Sequence, residues 1–279
     1  MDALILSLEA LLASPFMRHA LLAGLLAGIA CGVTGVLVLQ NRLTFLAGGA
    51  AHAAYGGVGL AFYFSLPVLP CTLLFSLGAA ALMALLVLRG ESEGQRGDAQ
   101  DAAIGALWAG GTAFGIILIE LSPGYSGDLM GYLFGSILTV PTADLVGMVF
   151  FDLLLLGLLF FFRQGLWALS LDKEFAAVRG LPVRRLYLLL VVFVALTVVM
   201  LIRVVGLILV LALLTIPASL ARTFCRSLYP SMALAGLFSL LFCVAGLVFS
   251  WFTDISSGAS IIVVAVAVYL LARVMAPAR

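Results

Sequence analysis

The sequence predicts an all-α integral membrane protein with about eight or nine transmembrane helices plus one short re-entrant or surface helix. Of its 279 residues, 65% are hydrophobic and only 10% are charged, whereas soluble domains carry about 25% charged residues. Long apolar stretches recur along the chain, and about 20 apolar residues are enough to cross the hydrocarbon layer. Little length is left for a soluble domain, and a net charge of +1 gives no sign of a nucleic-acid partner.

Nine apolar stretches define the predicted spans. They cover residues 16–39, 43–65, 69–88, 102–121, 144–162, 186–201, 204–221, 231–250 and 257–275. The run 186–221 would be about 54 Å long as one helix, which is too long for a single crossing. We therefore predict a break at Ile202 and Arg203 that forms a tight hairpin.

Three further segments are predicted outside the spans. Residues 1–15 repeat leucines opposite polar residues and lack a positive n-region, which predicts an interfacial helix and not a cleaved signal peptide. The Gly-rich piece 128–138 is too short to span, so it predicts the re-entrant or surface helix. Residues 170–181 predict a short amphipathic helix that either rests on lipid head groups or docks a partner. Because no short-period repeat occurs, the chain 1–279 is predicted to form one membrane domain.

The arginines predict the orientation of the chain in the membrane, since positively charged loops stay in the cytoplasm. One predicted side carries Arg42, Arg89, Arg96, the arginines within 163–185, Arg222, Arg226, Arg273 and Arg279. The sequence therefore predicts a multi-pass protein of the cell membrane, with its N-terminus outside and its C-terminus in the cytoplasm.

His52 falls inside the second span, and Gly49, Gly56 and Gly59 share its helical face. Such a stripe either lets another helix approach closely or opens a narrow path beside a ligand. Ionisable groups inside membranes are costly and usually line an interior path, which favours the second interpretation. A neutral imidazole is also a common ligand of divalent transition metals.

Four carboxylates at the ends of spans each allow two interpretations. Asp101 enters the fourth span and Asp254 begins the last one, so each suits either a helix cap, which the pattern favours, or a pathway residue. Glu120 and Asp128 bracket a predicted outer loop, where carboxylates attract cations or are simply solvated.

Other features of the spans predict packing. A stripe of small residues in the first span, typical of a packing seam, consists of Gly24, Gly28, Gly32 and Gly35. The four cysteines lie far apart, without the spacing of a zinc site or a disulfide framework, and are interpreted as packing residues. Pro217 lies inside a span and leaves the carbonyl of Leu213 without its helical donor, which predicts a kink facing protein or water. Arg203 is predicted to mark the outer interface by snorkelling.

Missing motifs narrow the possible functions. Lys173, the only lysine, has no glycine-rich loop ahead of it, so the chain has no phosphate-binding P-loop and any ATP must be hydrolysed by another chain. The absence of His-Glu-x-x-His and Gly-x-Ser-x-Gly disfavours an intramembrane enzyme. Neither inverted halves nor several intramembrane carboxylates are evident, which disfavours a stand-alone secondary transporter or channel.

Several segments, in the same order and spacing, resemble the permease subunits of zinc, manganese and iron ABC importers. These segments are residues 42–53, 101–105, 128–136, 205–222 and 254–260. The family is related in architecture to the cobalamin and siderophore permeases. The resemblance therefore implies a type II, cobalamin-importer-like permease that is not itself an enzyme and carries no resident cofactor.

The resemblance also implies which residues guide the metal. In the family, an Asp and a His four residues apart on the second helix hold the ion in transit. Here His52 matches the histidine, and Gly48 stands where the Asp is usual. The matching segments further place Asp101, Asp128 and Asp254 on the metal pathway.

Residues 172–180 resemble the coupling helix of the family, which docks in a cleft of the ATPase. The contacts to the ATPase would come from Asp172, Glu174, Phe175, Ala176 and Gly180. The implied partners are this ATPase, a second copy of the chain, an extracytoplasmic metal-binding protein and membrane lipid. Zinc is the first choice of cargo, with manganese or iron as alternatives, and the rival functions are a permease for a siderophore or cobalamin and an ATP-independent secondary transporter.

Overall fold

The fold is built from long apolar helices. A computed structural model describes residues 14–92, 98–122, 135 and 137–275. Its elements are α1 (Pro15–Gln40), α2 (Thr44–Tyr63), α3 (Val68–Ser92), α4 (Asp98–Glu120), a 3₁₀ turn (Ile137–Thr139), α5 (Thr142–Leu171), α6 (Lys173–Val178), α7 (Val183–Val205), α8 (Leu207–Phe224), α9 (Leu228–Thr253) and α10 (Ser257–Met275). Within these described ranges, nine helices are long and apolar enough to cross a membrane, and α6 is the short exception. The prediction of an all-α membrane protein with eight or nine spans is confirmed.

The apolar run 186–221 is interrupted later than predicted. The break was predicted at Ile202 and Arg203. This prediction is wrong, because helix α7 continues through both residues to Val205. The interruption lies at Gly206, whose φ is +82°. A residue without Cβ adopts a positive φ at little cost. Apolarity, from which the break was placed, carries no information about this dihedral angle.

Two predicted elements fall largely outside the described residues. The predicted interfacial helix 1–15 reaches them only at Ser14 and Pro15. Of the predicted re-entrant or surface helix 128–138, the structure describes Gly135, Ile137 and Leu138, the last two within the 3₁₀ turn. Both elements stay predictions.

The chain divides into two compact units, each assembled from segments that are distant in sequence. The first unit comprises Met1–Val36, Met130–Gly157 and Arg203–Arg279, and the second comprises Leu37–Leu129 and Leu158–Ile202. The first unit therefore contains most of α1, the first part of α5 and all of α8, α9 and α10. The second contains α2, α3, α4, α6 and most of α7.

In the second unit, α2 packs against both α3 and α4 through small residues. A Cβ atom added to Gly57 would lie 2.5 Å from the Cα of Thr72 on α3. A Cβ added to Gly111 of α4 would lie 2.9 Å from the Cα of Ala53. Small residues let helix backbones approach this closely in a membrane, and the close approach fixes the side chains of α2 against its neighbours.

In the first unit, α1 and α9 cross at glycines. A Cβ atom on Gly32 would lie 2.6 Å from the backbone nitrogen of Gly236 and 2.8 Å from the carbonyl oxygen of Met232. On Gly28 it would lie 3.1 Å from the carbonyl oxygen of Gly236. The predicted packing seam of the first span is therefore confirmed.

We expect Gly32→Val to lower the free energy of unfolding by about 1–3 kcal/mol, because the new side chain would overpack this crossing. Gly157→Ala on α5 is the matched control, since a Cβ there meets nothing within 4 Å. Thermal unfolding of the detergent-solubilised proteins measures both effects. If Gly32→Val were as stable as Gly157→Ala, the close packing of α1 on α9 would be contradicted.

Candidate functional site

His52, the candidate ligand on α2, is half-buried and contacts α4. Its imidazole stacks on the indole of Trp108, with the ring centroids 4.5 Å apart and the planes inclined by 27°. The hydroxyl of Thr112, one turn further along α4, donates to the carbonyl oxygen of His52 at 3.4 Å and to that of Trp108 at 2.9 Å. Helix α4 therefore contacts both the ring of His52 and its backbone.

The ring nitrogens of His52 are available for a ligand. Neither of them forms a hydrogen bond with any residue that the structure describes. One nitrogen of a neutral imidazole carries a lone pair, which can bind a divalent metal. A half-buried imidazole whose ring is stacked and whose nitrogens have no described partner can accept a cation without first losing a hydrogen bond to any described residue.

Neighbouring helices fill the space beside the three glycines that share the helical face of His52. A Cβ atom on Gly49 would lie 3.0 Å from the Sδ of Met83, and one on Gly59 would lie 2.8 Å from the Cα of Gly115. A Cβ on Gly56 would overlap the ring of Phe75 on α3. For these glycines the structure supports the packing alternative over the alternative of an open path.

A polar cavity of about 810 Å³ lies at one end of the second unit, where α2 and α4 begin and α5 ends. Its lining includes Asn41, Arg42, Phe45, Asp101, Asp172 and Lys173. The ring of Phe45 is also 5.6 Å from that of Trp108, measured between centroids. The side chains of His52, Trp108 and Phe45 therefore form a continuous aromatic series between the candidate ligand and the cavity.

Asp101 lines this cavity and is exposed. Helix α4 begins at Asp98, so Asp101 lies inside the first turn and the favoured prediction that it caps the helix is wrong. The start of the span was predicted from its first apolar residues, but the helix begins earlier, at Asp98. A carboxylate in the first turn still interacts favourably with the helix dipole, and its side chain stays available to the cavity.

Of the other predicted pathway carboxylates, Asp254 is among the described residues. Asp254 is the exposed C-cap of α9 at φ 54°, so the favoured prediction that it caps the last span, which begins at Ser257, is wrong. Asp128 lies outside the described residues. His52 and Asp101 belong to the second unit and Asp254 to the first. Among the side chains that the structure describes, no three of His, Cys, Asp and Glu are grouped so that they could hold a metal ion.

The predicted amphipathic segment 170–181 forms α6 with well-defined ends. The Oδ1 atom of Asp172 accepts hydrogen bonds from the backbone N–H groups of Glu174 at 2.8 Å and Phe175 at 3.2 Å, so Asp172 is the N-cap. Gly180, at φ +76°, follows the C-terminal end and donates its N–H to the carbonyl of Ala177 at 2.9 Å. The helix is therefore shorter than predicted, because a cap and a left-handed glycine terminate it.

The two sides of α6 differ in exposure. Phe175 is 51% exposed and Val178 is 88% exposed, whereas Ala176 is completely buried. Two side-chain hydrogen bonds hold Ser170, in the last turn of α5 just before α6. Gln40 donates to its backbone carbonyl and Asn41 donates to its hydroxyl, both at 2.9 Å. Phe175 is therefore accessible to a partner, while Ala176 holds α6 against its own chain.

Pro217 and Arg203 both lie in the first unit. Pro217 is inside α8 and buried, in agreement with the predicted protein-facing side. Arg203, predicted to snorkel at the outer interface, lies 3.4 Å from Asp144 of α5, and the two side chains are 39% and 21% exposed. Because salt bridges between partly exposed groups contribute little to stability, this pair orients the two helix ends more than it stabilises them.

Sequence reasoning missed Asp152. This carboxyl lies within α5, is only 5% exposed, and its Oδ2 atom has no hydrogen-bond partner among the described residues. The buried thiols of Cys31 and Cys243 belong to the same unit as Asp152. The sequence did contain a signal for Asp152, since it is an acidic residue in the middle of the apolar run 144–162. The run was identified by its length and apolar content, and neither depends on one acidic residue. A buried ionisable group in a membrane helix is an expected mark of function.

Comparisons with known proteins agree on one family. The model of the ABC 3 transport family matches residues 13–276. An uncharacterized membrane protein of Synechocystis is 43% identical over 92% of this chain and 89% of its own length. The manganese transport system membrane protein MntC of Halalkalibacterium halodurans is 30% identical over 96% and 90%, and the high-affinity zinc uptake system membrane protein ZnuB of Haemophilus influenzae is 26% identical over 90% and 94%. The solved structure of PsaBC from Streptococcus pneumoniae, in complex with Fab, superposes with a TM-score of 0.85 at 29% identity, over 99% of this chain and 97% of that chain.

Proposed function

Because the chain belongs to the ABC 3 transport family, we propose that it is the permease subunit of an ATP-driven importer of divalent transition-metal ions. The observation that carries this proposal is His52, a half-buried imidazole inside a membrane span whose ring nitrogens have no described partner. An imidazole suits Zn²⁺ and related divalent metals. A single neutral ligand binds weakly, which lets the ion leave again during transport.

Relatives named for manganese and for zinc both match most of the chain, so we propose zinc as the first cargo to test and manganese and iron as its competitors. The preference for zinc rests on the available ligand, which is the imidazole of His52. A carboxylate at position 48 would suit manganese better, but that residue is Gly48. Asp101, at the cavity, is the pathway carboxylate that we propose next to His52. Asp128 and Asp254 stay in the proposal as residues on the outer side.

We propose that a second copy of the chain covers one face of α4. Small exposed residues follow one side of this helix, namely Ala102, Ala106, Ala109, Gly110 and Ala113. Small residues favour close helix contacts in membranes.

The energy source in this proposal is a separate ATPase that docks on the exposed side of α6 in the cytoplasm. ATP is bound by that subunit, and an extracytoplasmic metal-binding protein delivers the ion from the other side. The arginine distribution supports an N-terminus outside and a C-terminus in the cytoplasm. Among the residues that the structure describes, Asp152 is the one buried carboxyl, whereas a secondary transporter would be expected to carry several inside its spans.

We expect vesicles that contain the chain together with its co-purified ATPase to accumulate ⁶⁵Zn²⁺ only when ATP is present. Unlabelled Mn²⁺ and Fe²⁺ should reduce the uptake of ⁶⁵Zn²⁺, each in proportion to its affinity for the pathway. An iron-siderophore complex or cobalamin should leave this uptake unchanged. Uptake by the isolated chain without nucleotide would contradict the ABC mechanism. Competition by the chelates instead of the free ions would favour the chelate permease.

A further inference from the structure

We propose that Trp108 is the positioning residue that orients the imidazole of His52 for a divalent cation in transit. The inference rests on the proposed function of His52 and adds the group through which that histidine is held. A histidine ligand binds a metal in the plane of its ring, so the rotation of that ring must be restricted.

In most metal sites, a hydrogen bond to the second ring nitrogen restricts the rotation. His52 has no such bond to any described residue. One turn earlier on the same helix stands Gly48, which offers no carboxylate. The aromatic partner described for the ring of His52 is the indole of Trp108, which lies 4.5 Å from it and nearly parallel to it. Stacking covers one face of the imidazole and leaves its edge, where the nitrogens lie, open to a cation.

Trp108 is itself held in place from two sides. Phe45 contacts the indole at 5.6 Å between centroids and an angle of 51°. The single hydroxyl hydrogen of Thr112 has the carbonyl oxygen of Trp108 at 2.9 Å and that of His52 at 3.4 Å as alternative acceptors, so α4 and α2 are in polar contact at this level. The close approach of Gly111 to Ala53 brings α4 near enough to α2 for the stack to form. A fixed indole can therefore fix the plane of the imidazole, and its π-face also favours an imidazole that a bound metal has polarised.

The test measures metal binding at His52 without using transport. Diethyl pyrocarbonate modifies free imidazoles, and a bound metal protects them, so the Mn²⁺ concentration that halves the modification of His52 reports its affinity. The complex of the full chain with its ATPase, in lipid nanodiscs, is treated and analysed by mass spectrometry. His19, the other histidine of the chain, is the internal control.

Trp108→Leu should raise the half-protecting Mn²⁺ concentration about tenfold, the lower end of the effect of losing a partner that orients a histidine ligand. Trp108→Phe should restore it, because phenylalanine can still stack. The modification of His19 should not change in either variant. An unchanged half-protecting concentration in Trp108→Leu would overturn the inference. So would a failure of both Zn²⁺ and Mn²⁺ to protect His52 in the unsubstituted complex, even if uptake still depended on His52.

A second measurement leaves Trp108 in place and therefore does not depend on the folding of its variants. In a Trp167→Phe/Trp251→Phe background, Trp108 is the sole tryptophan, and Mn²⁺, which is paramagnetic, should quench its emission in a saturable way. His52→Ala should abolish this quenching. Quenching that persists without His52 would show that the ion does not reach the indole through the histidine, and it would refute the proposed role.

Discussion

Replacement of His52 by alanine is expected to reduce ATP-driven Zn²⁺ uptake by more than about tenfold, since the loss of even an outer partner of a metal ligand costs that much in affinity. The side chain is half-buried inside the span, and its ring nitrogens have no partner among the described residues. Alanine removes the imidazole but not the packing of α2, because that packing depends on glycines and alanines. The loss should therefore appear in uptake and not in the yield of folded protein.

His19→Ala is the matched control, because His19 lies on α1 and is the other histidine in the chain. Both variants should co-purify with the ATPase in the same amount as the original chain. Initial rates of ⁶⁵Zn²⁺ uptake into vesicles with internal ATP give the comparison. Normal uptake by His52→Ala would remove this residue from the pathway, and an equal loss in both variants would point to a general effect on folding.

The number and order of the spans could be predicted because the membrane imposes a minimum apolar length on every crossing. The ends of the helices could not be predicted in the same way. Asp101 was expected at a helix cap, but α4 extends to Asp98, and the interruption after α7 depends on the backbone dihedral of Gly206. Hydrogen bonds and backbone dihedral angles determine where these helices begin and end. Hydropathy carries no information about either.

Part of the candidate site was visible in the sequence and part was not. His52 was identifiable because an ionisable residue inside a span is costly and therefore rare. The same criterion applies to Asp152, which lies in the middle of an apolar run. That run was interpreted only as a span, from its length and apolar content. The stack of His52 on Trp108 could not be predicted, since it depends on how α4 is rotated against α2, and the close contact of Gly111 with Ala53 is what sets that rotation.

A Glu174→Arg/Phe175→Ser double variant is expected to release the ATPase from the detergent-solubilised complex. Phe175 is 51% exposed on a short helix that is anchored at both ends, as expected of a rigid aromatic anchor for a partner. Removal of such an anchor typically costs about 2 kcal/mol or more, which alone weakens the affinity more than tenfold, since each factor of ten corresponds to about 1.4 kcal/mol. Reversal of the charge at Glu174 adds repulsion wherever the ATPase presents a cation.

Two further variants separate docking from folding in this experiment. Phe224→Ser removes another exposed phenylalanine, at the end of α8, and should leave the amount of co-purified ATPase unchanged. Ala176→Phe should lower the thermal unfolding midpoint of the chain, because Ala176 is completely buried and overpacking its site strains α6. The double variant should keep the original midpoint, since both of its side chains are outside the packed face. Undiminished co-purification of the ATPase with the double variant would mean that the partner binds elsewhere, and α6 would then be assigned to the lipid head groups.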